Sequence, residues 1–282
     1  MGKGLITLSH KKAPITETRN RANPLYRGKT VAASHGKDCM THRCQSHLDA
    51  SEPIRPLVNP KRAMRIGNWN VRTLYSSGNV AQAAREMSRR DIDIMGMSET
   101  HWTGQGKMQL RDGETMVCSG REDSIHREGV GILMSKDAAA CQMEWTRLSE
   151  RIIQARFYSR NIKLTIIHIY APTEEAEEQV KEEFYTRLQE LLDTKNQHDM
   201  LIITGDMNVK VGDQNWDFER VMGKHGLRVR NDNGEKLCQI CDLNELVITG
   251  TFSAQNHPQG NMDFTRWKDE EPDRPCSGQQ EG

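Results

Sequence analysis

Residues 201–212, LIITGDMNVKVG, hold the most informative juxtaposition of side chains in the chain. Leu201 to Thr204 are apolar or β-branched and read as a short buried strand. Gly205 ends the run, and Asp206 and Asn208 follow at once. In extended geometry two residues separated by one point the same way. A carboxylate and a carboxamide so placed would form a polar site held rigidly above a core. Taken alone, the pair reads as an Asx turn capping a loop. Three earlier stretches repeat the pattern, however: Asn70 in RIGNWNVR, Glu99 in IMGMSET and Tyr170 in IIHIYAPT. A glutamate after one strand is usually a surface residue, and a tyrosine there is usually half-buried packing. Four such groups in a set order are specific.

The elements that would position them can be read in the same way. Residues 1–62 lack sustained periodicity, carry Pro14, Pro24, Pro53, Pro56 and Pro60, and are expected to form a disordered basic leader. Alternation over 64–72 predicts a strand. Residues 79–90 carry Val80, Ala83, Ala84 and Met87 at helical spacing behind Asn79 as N-cap. Ile92, Ile94, Met95 and Met97 make a second buried strand that stops at Ser98-Glu99-Thr100. Strands are predicted at Thr115–Ser119, 129–134, Ile152–Phe157 and 162–170. An acidic amphipathic helix over 174–193 should turn Val180, Phe184, Leu188, Leu191 and Leu192 inward. A strand over 200–204, a helix over 231–243 and a short strand over 246–249 follow. Strands alternating with helices, each strand ending in polar residues, form an α/β layered pattern.

The chain has 282 residues, with Lys+Arg 39 against Asp+Glu 39, a length that suits one large domain or two small ones. Only 35% of residues are hydrophobic and the mean hydropathy is -0.75, so part of the chain should lie outside a packed core. Basic residues outnumber acidic ones up to Arg65, and the remainder is slightly acidic. Such a basic segment can attract nucleic acid non-specifically. No run approaches the roughly 18 apolar residues of a membrane span, and the N-terminus lacks a secretory apolar region. The expectation is an intracellular protein, nuclear or cytoplasmic, that is neither secreted nor membrane-bound. The cysteine count of 7 is odd and the residues are scattered, which argues against a disulfide framework. Cys238 and Cys241 have no second pair at zinc spacing and are expected to be buried on a helix.

The motifs W-N-V-R, S-E-T, I-Y-A-P-T and G-D-M-N, in that order, resemble those of the endonuclease/exonuclease/phosphatase superfamily. Over about residues 64–251 the likeness is to the endonuclease domain of RTE/BovB-type non-LTR retrotransposons. The resemblance implies a DNase I-like α/β (α+β) four-layer sandwich, two packed β-sheets flanked by helices, with the site along one sheet edge. It implies Glu99 as the main Mg²⁺ ligand (Mn²⁺ being the alternative ion), helped by Asn70. A hard cation that keeps waters for a phosphate substrate suits such a set. Asp206 would orient or deprotonate the attacking water. Asn208 and Tyr170 would hydrogen-bond phosphate oxygens and stabilise the charge of the pentacoordinate state. DNA is the implied partner and nicking the implied activity. The rival readings are a phosphatase acting on a small phosphorylated substrate and an inactive remnant or binding module. His168 alternates with apolar residues and reads as structural, whereas His101, next to Glu99, is a candidate for touching substrate.

The superfamily pattern should continue with a Thr-Trp segment, an N-Q-I-D-H-like strand and a terminal S-D-H. Residues 253–282 carry none of these, and Asp263 and His257 have the wrong neighbours. With suitable codons, this tail read one nucleotide out of register gives a likeness of the missing segment. A single-base insertion or deletion near Phe252, followed by an early stop, would explain it. The expected organisation is therefore a leader over 1–62, an incomplete domain over 63–252 and an irregular, frame-shifted tail over 253–282, with the activity impaired in this chain because the terminal histidine segment implied by the resemblance as catalytic is absent.

Overall fold

The computed structural model of the chain describes residues 4–8, 57, 63–75 and 77–252. In chain order the elements are β1 (Gly4–Leu8), β2 (Ile66–Asn70), α1 (Ser77–Arg89), β3 (Ile94–Ser98), β4 (Gln105–Gln109), β5 (Thr115–Ser119) and β6 (Val130–Met134). Then come α2 (Lys136–Ala140), β7 (Gln142–Ser149), β8 (Ile152–Phe157), β9 (Leu164–Tyr170), α3 (Glu178–Asp193), β10 (Met200–Asp206), α4 (Asp232–Leu243) and β11 (Leu246–Ile248). One sheet runs β2-β3-β6-β5-β4 and the other β11-β1-β10-β9-β8-β7. Both are mixed. β2 and β3 are parallel, as are β11, β1, β10 and β9, and the remaining pairs are antiparallel.

Three apolar layers hold these elements together. Ile94, Val117, Ile132, Ala155, Phe157, Ile166 and Ile202 fill the space between the two sheets. Met95, Met97, Met116 and Leu133 face the other way and pack under Val80, Ala83, Ala84 and Met87 of α1. Ile167, Ile169, Leu201 and Ile203 pack under Phe184, Leu188 and Leu192 of α3 and Leu237 and Cys241 of α4. The molecule is therefore a four-layer sandwich of two mixed β-sheets with helices outside, the DNase I-like layering expected from the sequence. Each central strand is apolar on both faces, which is why β3 and β10 read as runs of hydrophobic residues instead of strict alternations.

Several boundaries differ from the expectation. β10 does not stop before Gly205 but continues through Asp206, paired with Tyr170 of β9. Ladder hydrogen bonds to β9, not side-chain pattern, decide where that strand ends. α1 begins at Ser77, so Asn79 lies inside it and is not its N-cap; the Asn79 amide instead donates to the Thr73 carbonyl at 3.3 Å. Val180 is 38% exposed, on the outer flank of α3. β4, β7 and the short α2 carry no strong apolar period and were not legible. Asn231 does cap α4, its side chain accepting from the Gly234 amide, and Cys238 and Cys241 are buried on that helix.

The expectation of a disordered leader over residues 1–62 fails at Gly4–Leu8. This segment pairs in parallel with β10 on one side and β11 on the other, with Leu5 opposite Ile202 and Leu8 opposite Gly205. Four β-prone residues are too few to show a period, and only the slot between β10 and β11 makes them a strand. The proposed frame-shifted tail, residues 253–282, lies outside the described residues.

Gly96 of β3 faces the inter-sheet space, where a Cβ would come 2.1 Å from Nδ1 of the fully buried His168. Gly96→Ala should therefore cost about 1–3 kcal/mol in urea unfolding, as overpacked cores do. Combined with His168→Ala it should cost clearly less than the two single changes added, because the clash and its target are the same contact.

Candidate active site

Four strands meet the inter-sheet space side by side, and their pleat puts alternate residues into it. From β2 these are Ile66, Asn68 and Asn70; from β3 Ile94, Gly96 and Ser98; from β9 Ile166, His168 and Tyr170; from β10 Ile202, Thr204 and Asp206. The isoleucines belong to the inter-sheet core. One step along each strand the layer turns polar. Thr204 Oγ1 donates to Asn68 Oδ1 at 2.6 Å, and Ser98 Oγ lies 3.1 Å from His168 Nε2. Both contacts tie one sheet to the other. A further step brings the strand ends, where the sequence candidates converge.

Asn70 is the centre of that cluster. It is 5% exposed, and its amide nitrogen donates to Glu99 Oε1 at 2.7 Å and to Asp206 Oδ2 at 3.0 Å. Its carbonyl oxygen accepts from the Arg72 backbone N–H at 3.2 Å, which fixes the direction of the amide. Tyr170 Oη donates to the same Glu99 Oε1 at 3.0 Å. One amide and one phenol thus hold two carboxylates that would otherwise repel each other. Glu99 leaves β3 with a positive φ of 57°, a left-handed conformation uncommon for a side chain of its size. That turn brings its carboxylate back over the sheet edge toward Asn70.

Gly205, at φ 149°, lets β10 pass against Ile169, whose carbonyl oxygen would lie 1.9 Å from any Cβ there. Asn208 stands apart from the other four. At φ 47° it turns the chain, its backbone N–H reaches Asp206 Oδ1 at 3.3 Å, and its Nδ2 donates to the Ala171 carbonyl at 2.8 Å. It thus braces the loop that Asp206 starts, and it keeps one amide hydrogen in reserve.

Electrostatics follow the burial. Desolvation first, then the neighbouring Glu99 charge, pushes the Tyr170 phenol well above its ordinary range, with Arg151 opposing. Tyr170 therefore remains a neutral donor at any physiological pH. Arg151 was not found from the sequence. It lies in the turn just before β8, with its guanidinium 5.1 Å from the Tyr170 ring centroid, and it bonds the Tyr170 carbonyl at 3.3 Å and Glu128 at 3.1 Å. No sequence spacing links it to Tyr170, since the β8–β9 pairing brings the two together. Asn68, His168 and Thr204 were legible in principle, as each stands two residues before a cluster member on the same strand face. His168 is fully buried away from solvent, as its alternation suggested. His101 is half-buried beside Glu99, and its carbonyl lies 2.9 Å from His126 Nδ1.

Among the described residues no group of three or more His, Cys, Asp and Glu side chains could hold a metal ion, and no histidine bonds to the four-residue cluster. Two carboxylates and an amide are oxygen-rich and sulfur-free, a donor set that fits a hard cation completing its shell with water and substrate oxygens. It does not fit zinc, which prefers nitrogen and sulfur. No described helix is long and apolar enough to cross a membrane.

The chain is similar to craniofacial development protein 2 of Bos taurus, 36% identical over 211 residues, which is 75% of this chain and 35% of that protein. It matches the Tragulus javanicus protein of the same name at 36% identity over 211 residues, 36% of that protein. The chain thus has homologues in the craniofacial development protein 2 sequences and spans about a third of their length. Its structural neighbours lie in the endonuclease/exonuclease/phosphatase superfamily. They include the catalytic domain of Xenopus laevis APE2 (TM-score 0.45, 16% identity, 61% of this chain and 66% of that one). The endonuclease domain of TRAS1, a telomere-specific non-LTR retrotransposon, scores 0.41 at 14% identity, with 63% of this chain and 70% of that one covered. No protein-family model matches the chain.

His168 gives the fold a pH dependence. Burial lowers its pKa from the ordinary 6.5 to about 4, with the Met97 and Thr204 carbonyls opposing. Between these values the unfolded chain binds the proton and the native protein does not, so stability rises with pH. The contribution is complete above about 6.5 and is lost as pH falls toward 4. Urea midpoints measured across this window should fall with pH in the native protein. In His168→Gln, which carries no titrating ring, the slope should flatten.

Proposed function

We propose that this chain is a divalent-metal-dependent phosphodiester hydrolase of the nuclease type, acting on DNA by nicking. The observation that carries the reading is the meeting of Asn70, Glu99, Tyr170 and Asp206 in one hydrogen-bonded cluster at the C-terminal ends of β2, β3, β9 and β10. Glu99, with Asn70 beside it, would hold Mg²⁺ (or Mn²⁺), and the ion when bound would act as a Lewis acid on the scissile phosphate. Asp206 orients the attacking water and takes its proton as the new P–O bond forms and the P–O bond to the departing sugar oxygen breaks, that oxygen taking a proton from solvent. Tyr170, kept protonated by burial and by Glu99, would turn its one hydroxyl hydrogen from Glu99 Oε1 to a phosphate oxygen. The remaining amide hydrogen of Asn208 donates to a phosphate oxygen from the other side of Asp206. Both donors bear on oxygens whose charge grows in the pentacoordinate state, where such bonds strengthen. Inter-sheet ties hold the strand ends in place before substrate arrives, so reorganisation is confined to the hydrogen bonds that Tyr170 and Asn70 make with the carboxylates.

The test is nicking of supercoiled plasmid by purified protein with and without Mg²⁺. Metal-dependent nicking is expected, absent in Glu99→Gln and reduced on the order of 10²–10³-fold in Tyr170→Phe, the usual effect of removing one such donor. A folded sample that nicks no faster than Glu99→Gln would overturn the proposal and leave a non-catalytic domain.

A further inference from the structure

The loops that follow Asn70 and Glu99 are zipped to each other beyond the sheet edge. The Val71 N–H donates to the Ser98 carbonyl and the Leu74 N–H to the Thr100 carbonyl, both at 3.0 Å. Trp102 Nε1 returns a bond to the Leu74 carbonyl at 3.0 Å. Leu74 itself is only 2% exposed, so the chain on this side of residue 75 is anchored in the core. Tyr75 comes next and is 72% exposed. Its ring does not hang free. It meets the edge of His126 at 5.2 Å and 87°, and His126 is fixed in turn through its Nδ1 contact with the His101 carbonyl. The His101 N–H bonds the Glu128 carbonyl at 2.9 Å. The result is a braced aromatic ring on the rim of the cluster, five residues from Asn70. An edge-on partner leaves ring face uncovered, so a flat group can still stack.

The charges around it favour an anionic strand. Each acid of the 121–128 loop has an arginine partner: Glu122 with Arg147, Asp123 with Arg121, and Glu128 with both Arg121 and Arg151. Arg72 and Arg127 are exposed and have no ion pair among the described residues. The acids are thus neutralised locally, and the two guanidinium groups remain for phosphates.

We propose that Tyr75, backed by His126, is a stacking ledge for an unpaired nucleobase next to the phosphate held at Glu99 and Asp206. The site thereby favours strands that expose a base, at a nick, gap, flap or single-stranded stretch, over intact duplex. This rests on the nuclease reading above. Aromatic ledges hold bases of any sequence, so the preference is for strand structure and not for sequence.

The test is binding of a single-stranded oligonucleotide carrying one 2-aminopurine, in EDTA so that no cleavage intervenes. Full-length native protein should quench the fluorescence of the stacked base. Tyr75→Ala should lose the quenching and weaken binding about 5- to 100-fold. Tyr75→Phe, which keeps the ring, should retain both. An oligonucleotide that is abasic throughout should bring native protein and Tyr75→Ala to the same affinity. Because Tyr75 is exposed, all variants should unfold at the same urea concentration. Native protein that binds while Tyr75→Ala binds and quenches equally well would sink the ledge and leave the nuclease reading standing. Failure of the native protein to bind any oligonucleotide would overturn the ledge, and nicking with Mg²⁺ decides the nuclease reading separately.

Discussion

The arrangement depends on the pleat of four adjacent strands being in phase. β2, β3, β9 and β10 all send every second residue into the inter-sheet space, and corresponding residues line up across the pairs β2–β3 and β9–β10. A slip of one residue in any of them would turn its polar end residues away and bring apolar ones into the cluster. The isoleucine layer at the base prevents that slip, because a displaced strand would leave Ile66, Ile94, Ile166 or Ile202 facing the wrong layer. Hydrophobic packing at one end of the seam thus fixes carboxylate positions at the other. The polar cluster at the strand ends is held in place by apolar groups outside it.

Between the isoleucines and the carboxylates lies a buried polar layer, and its partners cross from sheet to sheet. Burying polar groups without hydrogen bonds would cost about 1–3 kcal/mol each. Asn68 with Thr204 and Ser98 with His168 Nε2 offset part of that cost, His168 Nδ1 stays buried without a hydrogen-bond partner among the described residues, and Gly96 makes room for the imidazole. Such pairs contribute less to stability than apolar residues of equal size would, but they bond in one register only. The neutral state of His168 belongs to the same logic, since a charged imidazole in this layer would have no carboxylate to face.

Part of the backbone strain lies where these strands end. Arg72, Glu99, His101 and Asn208 all adopt positive φ, in the two or three residues that follow β2, β3 and β10. Each costs something in backbone energy, and together they fold the loops back over the sheet edge. Asn70 then joins both carboxylates by a single amide. The loops beyond, tied to one another through Leu74 and Trp102, carry aromatic and basic residues to the rim.

The sequence alone determined the layered α/β class, most central strands, the outer helices α3 and α4, and the identity of the cluster residues. These were legible because buried strands need continuous apolar runs and a site at their ends breaks the run with polar residues. Cys238 and Cys241 were readable as core for the same reason. Other features were decided only by tertiary structure. Gly4–Leu8 became a strand because β10 and β11 leave a slot between them. β10 kept Gly205 and Asp206 because β9 offers them hydrogen bonds. Arg151 came to Tyr170 through antiparallel pairing that no spacing encodes, and Asn208 turned its side chain to Ala171 because the loop there needed a brace. Periodicity records which face of an element is buried; which neighbour lies on that face, and where its hydrogen bonds run out, is settled only when the layers close.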